Sequence, residues 1–300
     1  MIAKQKLNVN IPKAISDFED AAREFELKEK LYKIIFRGKG LDFDRYRDFA
    51  PDEDSSSIDW KASVRAGKLI AKQYIEERDL NIVFAIDVSE NMLLGSGEKL
   101  KCEYATEVFA ALAHMIITSN DRVGVLLFSD GMKDFFPPKG GTNQFFFLAD
   151  VLSDPLTYGG ICRFDKAVDF LLDYVSETVD AVIIISDFIR VREDLYNNLL
   201  LISSKFETMG IMVKDLLDKT FPDINKEVVI EDPYSGEQIL INPKKVKGIY
   251  ERNALERDMA IKSLFKRSNI DVLELLTNQH FALPLAGFLE QRAKEGKSVM

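Results

Sequence analysis

Leu80 to Asn91 reads LNIVFAIDVSEN, and the fold class turns on it. A mostly apolar run, rich in β-branched residues, ends in a carboxylate at Asp87 and passes into a short polar loop. A strand with one wet face alternates apolar and polar residues; an almost unbroken apolar run is a strand buried on both faces. Downstream, helix and strand signals alternate. Leu100, Tyr104, Val108, Leu112 and Met115 keep helical spacing over about 100–119, and RVGVLLF from Arg122 is a strand. KDFFP is a short strand, the region from Gln144 to Leu152 is helical, and a helix covers Phe164 to Val175. AVIIISD is the next strand, followed by a helix from Leu195 to Phe206 and the strand GIMVKDLL. VVIEDPYSGEQILI is a hairpin around Pro233 to Glu237, then a long helix from Pro243 to Arg267, the strand DVLELL and a closing helix from Leu283 to Arg292. Such alternation predicts an α/β fold with a mostly parallel sheet covered by helices on both faces. Right-handed crossovers make it doubly wound.

Upstream of Leu80 the pattern changes. Ile15, Phe18, Ala22, Phe25, Leu31 and Ile34 recur at helical spacing over 13–36, and Gly38 and Gly40 stop that helix. Residues 41–78 mix aromatic and charged residues with Pro51 and a serine run, which reads as short strands and loops. The expected division is an N-terminal helical and β-rich extension over 1–78, the main domain over 79–293 and a tail over 294–300. Trp60, the only tryptophan, is expected to anchor the extension in a core.

The chain of 300 residues carries a formal net charge of −9, which disfavours nucleic acid, whose phosphates need a basic footprint. Its two cysteines, Cys102 and Cys162, form no CxxC pair, and no apolar run approaches the ~20 residues of a membrane helix. A reducing, cytoplasmic setting without membrane insertion is the expectation.

Open parallel sheets bind ligands beyond the C-terminal ends of their strands, where strand order reverses. Two predicted strands end in aspartate there, Asp87 and Asp187. In a doubly wound sheet those strands are neighbours, and two carboxylates side by side repel unless protonated or bridged by a cation. A hard divalent ion with oxygen ligands meets that need, and the Ser89 hydroxyl adds a ligand. A purely structural reading has both aspartates capping loops and Ser89 hydrogen-bonded locally.

Asp87-Val-Ser89-Glu-Asn91 resembles the DxSxS motif of the metal-ion-dependent adhesion site in von Willebrand factor A domains. The surrounding blocks are more specific. DFDRYRDFAPDEDSSSIDWKASVRAGKL, YIEERDLNIVFAIDVS, SDF at Ser186-Asp187-Phe188, EDPYSGE and NIDVLELLT resemble domain of unknown function family fifty-eight, over roughly 36–292. That resemblance implies a Rossmann-like, von Willebrand factor A-like domain that works with MoxR-type AAA+ ATPases as an adaptor or chaperone-like partner. It implies Asp87, Ser89, Asn91 and Asp187 as ligands of Mg²⁺ or Mn²⁺, and Asp87, Ser89, Cys162 and Asp187 as the partner-binding residues. Two positions depart from the pattern: Asn91 replaces a serine, and Cys162 or Ile161 stands where a threonine is expected. Neither supplies a hydroxyl, and a thiol suits magnesium poorly.

The alternative is a metal-dependent hydrolase in which Asp87 and Asp187 hold a water-activating ion, with Asp130 as the extra carboxylate. His114 and His280 lie in no catalytic motif and read as structural. Gly95 to Lys99 lacks the spacing of a phosphate loop, and Asp52, Asp54 and Ser56 lack the glycine of a calcium loop.

Overall fold

Two hydrophobic clusters, one on each face of a six-stranded sheet, organise the chain. The computed structural model describes residues 6–25, 27, 43–50, 58–74, 80–231 and 236–295. The glycines Gly38 and Gly40, the segment 51–57, the hairpin turn 232–235 and the tail beyond 295 lie outside the described residues. No described helix is long and apolar enough to cross a membrane.

Strands β3 (Asn81–Asp87), β4 (Arg122–Phe128), β5 (Met132–Lys139), β6 (Ala181–Ser186), β7 (Glu207–Lys214) and β10 (Asp271–Leu276) form the sheet in the order β10-β7-β6-β3-β4-β5. All pairings are parallel except that of β5, which returns antiparallel along β4 at the edge. Successive side chains of a strand point to opposite faces, and β3 shows it: Ile82, Phe84 and Ile86 enter one cluster, Val83 and Ala85 the other. The first face is covered by α1 (Ile11–Glu24), α3 (Lys101–Thr118), α4 (Thr142–Ser153) and α8 (Ala282–Glu295). The second is covered by α5 (Phe164–Asp173), α6 (Tyr196–Lys205) and α7 (Pro243–Arg267). The expected doubly wound α/β architecture is what the chain adopts.

The N-terminal helix belongs to the main core. Ala14, Phe18, Ala21 and Ala22 of α1 are buried with α3 and α8. Two carboxylates of α3 fasten the segment before it: Glu103 Oε1 accepts the Asn8 N–H at 2.6 Å, and Glu107 Oε1 accepts the Asn10 N–H at 2.7 Å. Residues 43–74 form β1 (Phe43–Asp48) and β2 (Ile70–Tyr74), an antiparallel pair with a short helix, α2 (Trp60–Ala66), between them. Asp59 caps α2 through the Ala62 N–H at 3.0 Å, and Gly67 ends it at φ 66°. That helix is unannounced by the apolar pattern. Trp60 is its first residue and is 63% exposed, so the tryptophan is no core anchor. The inserted hairpin is β8 (Val228–Glu231) paired with β9 (Gln238–Ile241).

Candidate functional site

Because β3 and β6 run parallel with Ile86 opposite Ile185, Asp87 at the end of β3 and Asp187 just past β6 arrive at the same end of adjacent strands. This is the point where strand order reverses. Each aspartate first closes its own loop. Asp87 Oδ1 accepts the Ser89 N–H at 2.9 Å, and Asp187 Oδ1 accepts the Ile189 N–H at 3.0 Å, the side-chain turn that aspartate readily forms. Ser186 Oγ donates to Asp87 Oδ2 at 2.7 Å while accepting the Phe188 N–H at 3.0 Å. Phe188 holds a left-handed φ of 52°, a strained state for a bulky residue. Its ring is clamped between Phe164 and Phe265, with centroids 5.6 and 4.9 Å away.

The remaining oxygen of Asp187 meets a side chain that the sequence reading overlooked. Lys101, first residue of α3, lies with its Nζ 2.7 Å from Asp187 Oδ2 and 3.2 Å from Asp218 Oδ2. It is fully buried, as is Lys214 at the end of β7. Burial alone depresses a lysine. For Lys101 the charges of Asp187 and Asp218 outweigh burial and raise its pKa. For Lys214 burial wins and the pKa falls: its Nζ lies 3.2 Å from Asp258 Oδ1 but makes no hydrogen bond among the described residues. Burial, reinforced by the charge of Asp187, holds the Asp87 carboxyl above its ordinary value, and the hydrogen bonds from Ser186 and Ser89 offset this only partly.

The other expected site residues surround Asp87. Ser89 Oγ is near enough to favour its charge, yet is buried without a hydrogen-bond partner among the described residues, against the expectation of a local bond. Asn91 sits in the 3₁₀ turn Glu90–Leu93. The Cys162 thiol faces both aspartates; burial first and their charges second push its pKa up, so it stays protonated. A loop seals the cluster. The Gly159 N–H donates to Val88 O at 2.8 Å, the Glu90 N–H to Gly160 O at 3.0 Å and the Arg163 N–H to Ser129 O at 2.6 Å. Gly160 adopts φ 82°, and a Cβ there would stand 3.2 Å from Ser129 Oγ. Asp87 and Ser89 are 0% exposed, Asp187 1%, Cys162 4% and Asn91 9%. Asp87, Ser89, Cys162 and Asp187 are brought together, Asn91 is buried in the adjoining turn, and all five are closed from solvent.

Apart from the unpartnered Ser89 hydroxyl, these residues do not fit a hard divalent cation. Both oxygens of Asp87 and both of Asp187 are engaged by protein donors. One of those donors is already a cation, and Cys162 offers a protonated thiol where an oxygen is wanted. Among the described residues no group of three or more His, Cys, Asp or Glu is placed to hold a metal. Asp130 follows β4 outside this cluster and accepts from Ser129 Oγ at 3.1 Å. His114 lies on α3 edge-on to Phe145, and His280 lines a groove of about 590 Å³ between α1, residues 97–99 and residues 277–281. That groove touches none of the five. The loop at Gly95 to Lys99 is structural: Ser96 donates from N and Oγ to Asp215 at 3.0 and 2.6 Å, and Asp215 also takes the Thr277 hydroxyl at 3.0 Å.

Lys101 left one trace in the sequence. It opens a helix whose residues are buried without a break from Lys101 to Ala113, and a cation in the first turn opposes the helix dipole. Asp215, Lys214 and Asp218 left none.

A profile of the family described as protein of unknown function DUF58 matches residues 45–260, from within β1 to within α7. The chain belongs to that family. The match is narrower than the resemblance read from the sequence blocks and leaves out α1, β10 and α8. The uncharacterized proteins Rv1480 of Mycobacterium tuberculosis and Mb1516 of Mycobacterium bovis are each 23% identical over 282 residues, covering 90% of this chain and 88% of their own. Among solved structures, the conserved hypothetical protein BatB from Bacteroides thetaiotaomicron covers 72% of this chain and 99% of its own at 13% identity and TM-score 0.47. An aerotolerance-related membrane protein from Bacteroides fragilis covers 72% and 98% at 15% identity and TM-score 0.46. Likenesses at those scores carry no inference for this member of the family.

Proposed function

We propose that this chain is a von Willebrand factor A-like interaction module that serves a MoxR-type AAA+ ATPase as an adaptor or chaperone-like partner, in a cytoplasmic setting in keeping with its two free, buried cysteines. The observation that supports docking is a set of exposed apolar side chains at the C-terminal end of the sheet. Leu94 follows β3, Met132 follows β4, Ile161 belongs to the sealing loop, and Leu216 and Leu217 follow β7; each is at least 39% exposed. Apolar side chains gathered from separate loops around one end of a sheet are the kind of surface a partner covers. The buried aspartates shape these loops from beneath. The type of ATPase rests on the family resemblance alone.

The test is a surface-binding titration of the full chain against the MoxR-type ATPase of the same organism. Leu216→Ser with Leu217→Ser is expected to weaken binding about tenfold or more, or roughly 1.4 kcal/mol, while leaving the melting temperature near wild type. No saturable binding by wild type sinks the proposal. The hydrolase reading draws no support from a pair of carboxylates closed from solvent and engaged by protein donors.

A further inference from the structure

The buried carboxylate of Asp187 must be neutralised. Its Oδ1 holds the Ile189 N–H and its Oδ2 holds the Lys101 ammonium. Lys101 itself is served twice, by Asp187 and by Asp218, and Asp218 is fixed in turn because its Oδ2 accepts the Asp215 N–H at 2.8 Å. The lysine emerges from the first turn of the helix that faces the strand ends, so its placement is set by α3 packing across the whole sheet. We infer that Lys101 is the resident cation on the Asp187 side of this site: its ammonium neutralises Asp187, as a divalent ion would in an adhesion site, while Asp87 is held by Ser186 and the Ser89 N–H, and the site works without metal. A second cation beside it would face a positive charge already in place and carboxylate oxygens that each already hold a protein donor. The cleft is thereby a fixed structural device that holds the loops after β3 and β6, rather than a point at which a partner's carboxylate completes a coordination sphere.

This assignment concerns the same strand ends as the proposed docking surface, and the two fail separately. Mn²⁺ uptake with docking intact would sink only the Lys101 assignment; absent docking by a metal-indifferent protein would sink only the docking proposal. The experiment is calorimetric titration of the full wild-type chain with Mn²⁺ and Mg²⁺, with thermal melts in EDTA and in excess Mg²⁺. Wild type is expected to show no saturable uptake and the same melting temperature in both. Lys101→Met is expected to lose roughly 10 °C or more, because it strands a buried carboxylate. Lys101→Met combined with Asp187→Asn removes the need for a cation and is expected to regain most of that loss, which covers the case in which the single variant fails to fold. Saturable metal uptake by wild type overturns the assignment. So does a Lys101→Met protein that melts with wild type, or a double variant no more stable than the single one.

Discussion

Lys101 and Lys214 are buried alike and served differently, and the difference sets what each is worth. Lys101 neutralises two carboxylates through hydrogen bonds. Lys214 lies near one, and Asp258 retains Lys219 and Arg257 at 3.9 Å each. A buried charge left without its partner costs about 3–5 kcal/mol, whereas an ion pair with a poorly satisfied ammonium returns little of its desolvation cost. Lys214→Met is therefore expected to change stability by less than about 2 kcal/mol in urea unfolding. A loss as large as that of Lys101→Met would show that Asp258 depends on Lys214 alone. Ser186 shows the same logic for a neutral group: its hydroxyl is at once the donor to Asp87 and the acceptor for Phe188. Ser186→Ala is expected to cost about 1–3 kcal/mol in the same measurement, since it leaves a buried carboxylate oxygen and a buried N–H without partners.

At the scale of elements, the antiparallel edge strand depends on one glycine. β4 and β5 lose regular register between Val123 and Val125, where Gly124 lets the backbone of β5 approach. A Cβ on Gly124 would stand 2.7 Å from Phe136 O and 2.8 Å from Pro138 N, both backbone atoms that cannot swing aside. Gly124→Ala is expected to cost about 2–4 kcal/mol and to show in hydrogen exchange as faster exchange of β5 amides than of β7 amides. Uniform slow exchange across both strands would refute this. The placement of Asp87 and Asp187 was legible at this scale, because two apolar runs that end in aspartate fall on neighbouring parallel strands once the order is doubly wound. The helix α2 was not. It depends on the Asp59 cap and the Gly67 stop acting over seven residues, too short a stretch for an apolar period to declare itself.

For the whole molecule, charges tie the late elements to the sheet. Lys219 and Lys262 flank Glu274 of β10; burial alone would raise its pKa, but their hydrogen bonds and charges outweigh it and lower the value. Asp215 joins the loops after β3 and β10 to the end of β7; there too burial is outweighed, by Ser96, Leu217 and Thr277 as donors, and the pKa falls. For an acid whose folded pKa is depressed, the stabilisation is complete above the unfolded value and disappears as pH falls through the folded one. The contribution of these two acids is therefore expected to be flat above about pH 5 and to fall below the ordinary values of 4.5 for Glu274 and 3.8 for Asp215. Glu274→Gln and Asp215→Asn should each flatten that fall in urea melts taken from pH 6 to pH 3; a slope unchanged in both would count against the assignment.

The sheet, its helical cover and the meeting of Asp87 with Asp187 could be read from local residues, since strand burial and helical period are local patterns that survive without knowledge of neighbours. What neutralises Asp187 follows from long-range packing alone. Lys101 is 86 residues from Asp187, and a lysine at the start of a helix is usually solvated. Its burial follows from how α3 lies over the strand ends. Closure of the site belongs to the same class, because it depends on bonds from Gly159 to Val88 and from Glu90 to Gly160, made between segments whose local patterns say nothing of each other. Read alone, the aspartates called for an ion from solution; folded, Asp187 meets a cation from its own chain and Asp87 a serine hydroxyl.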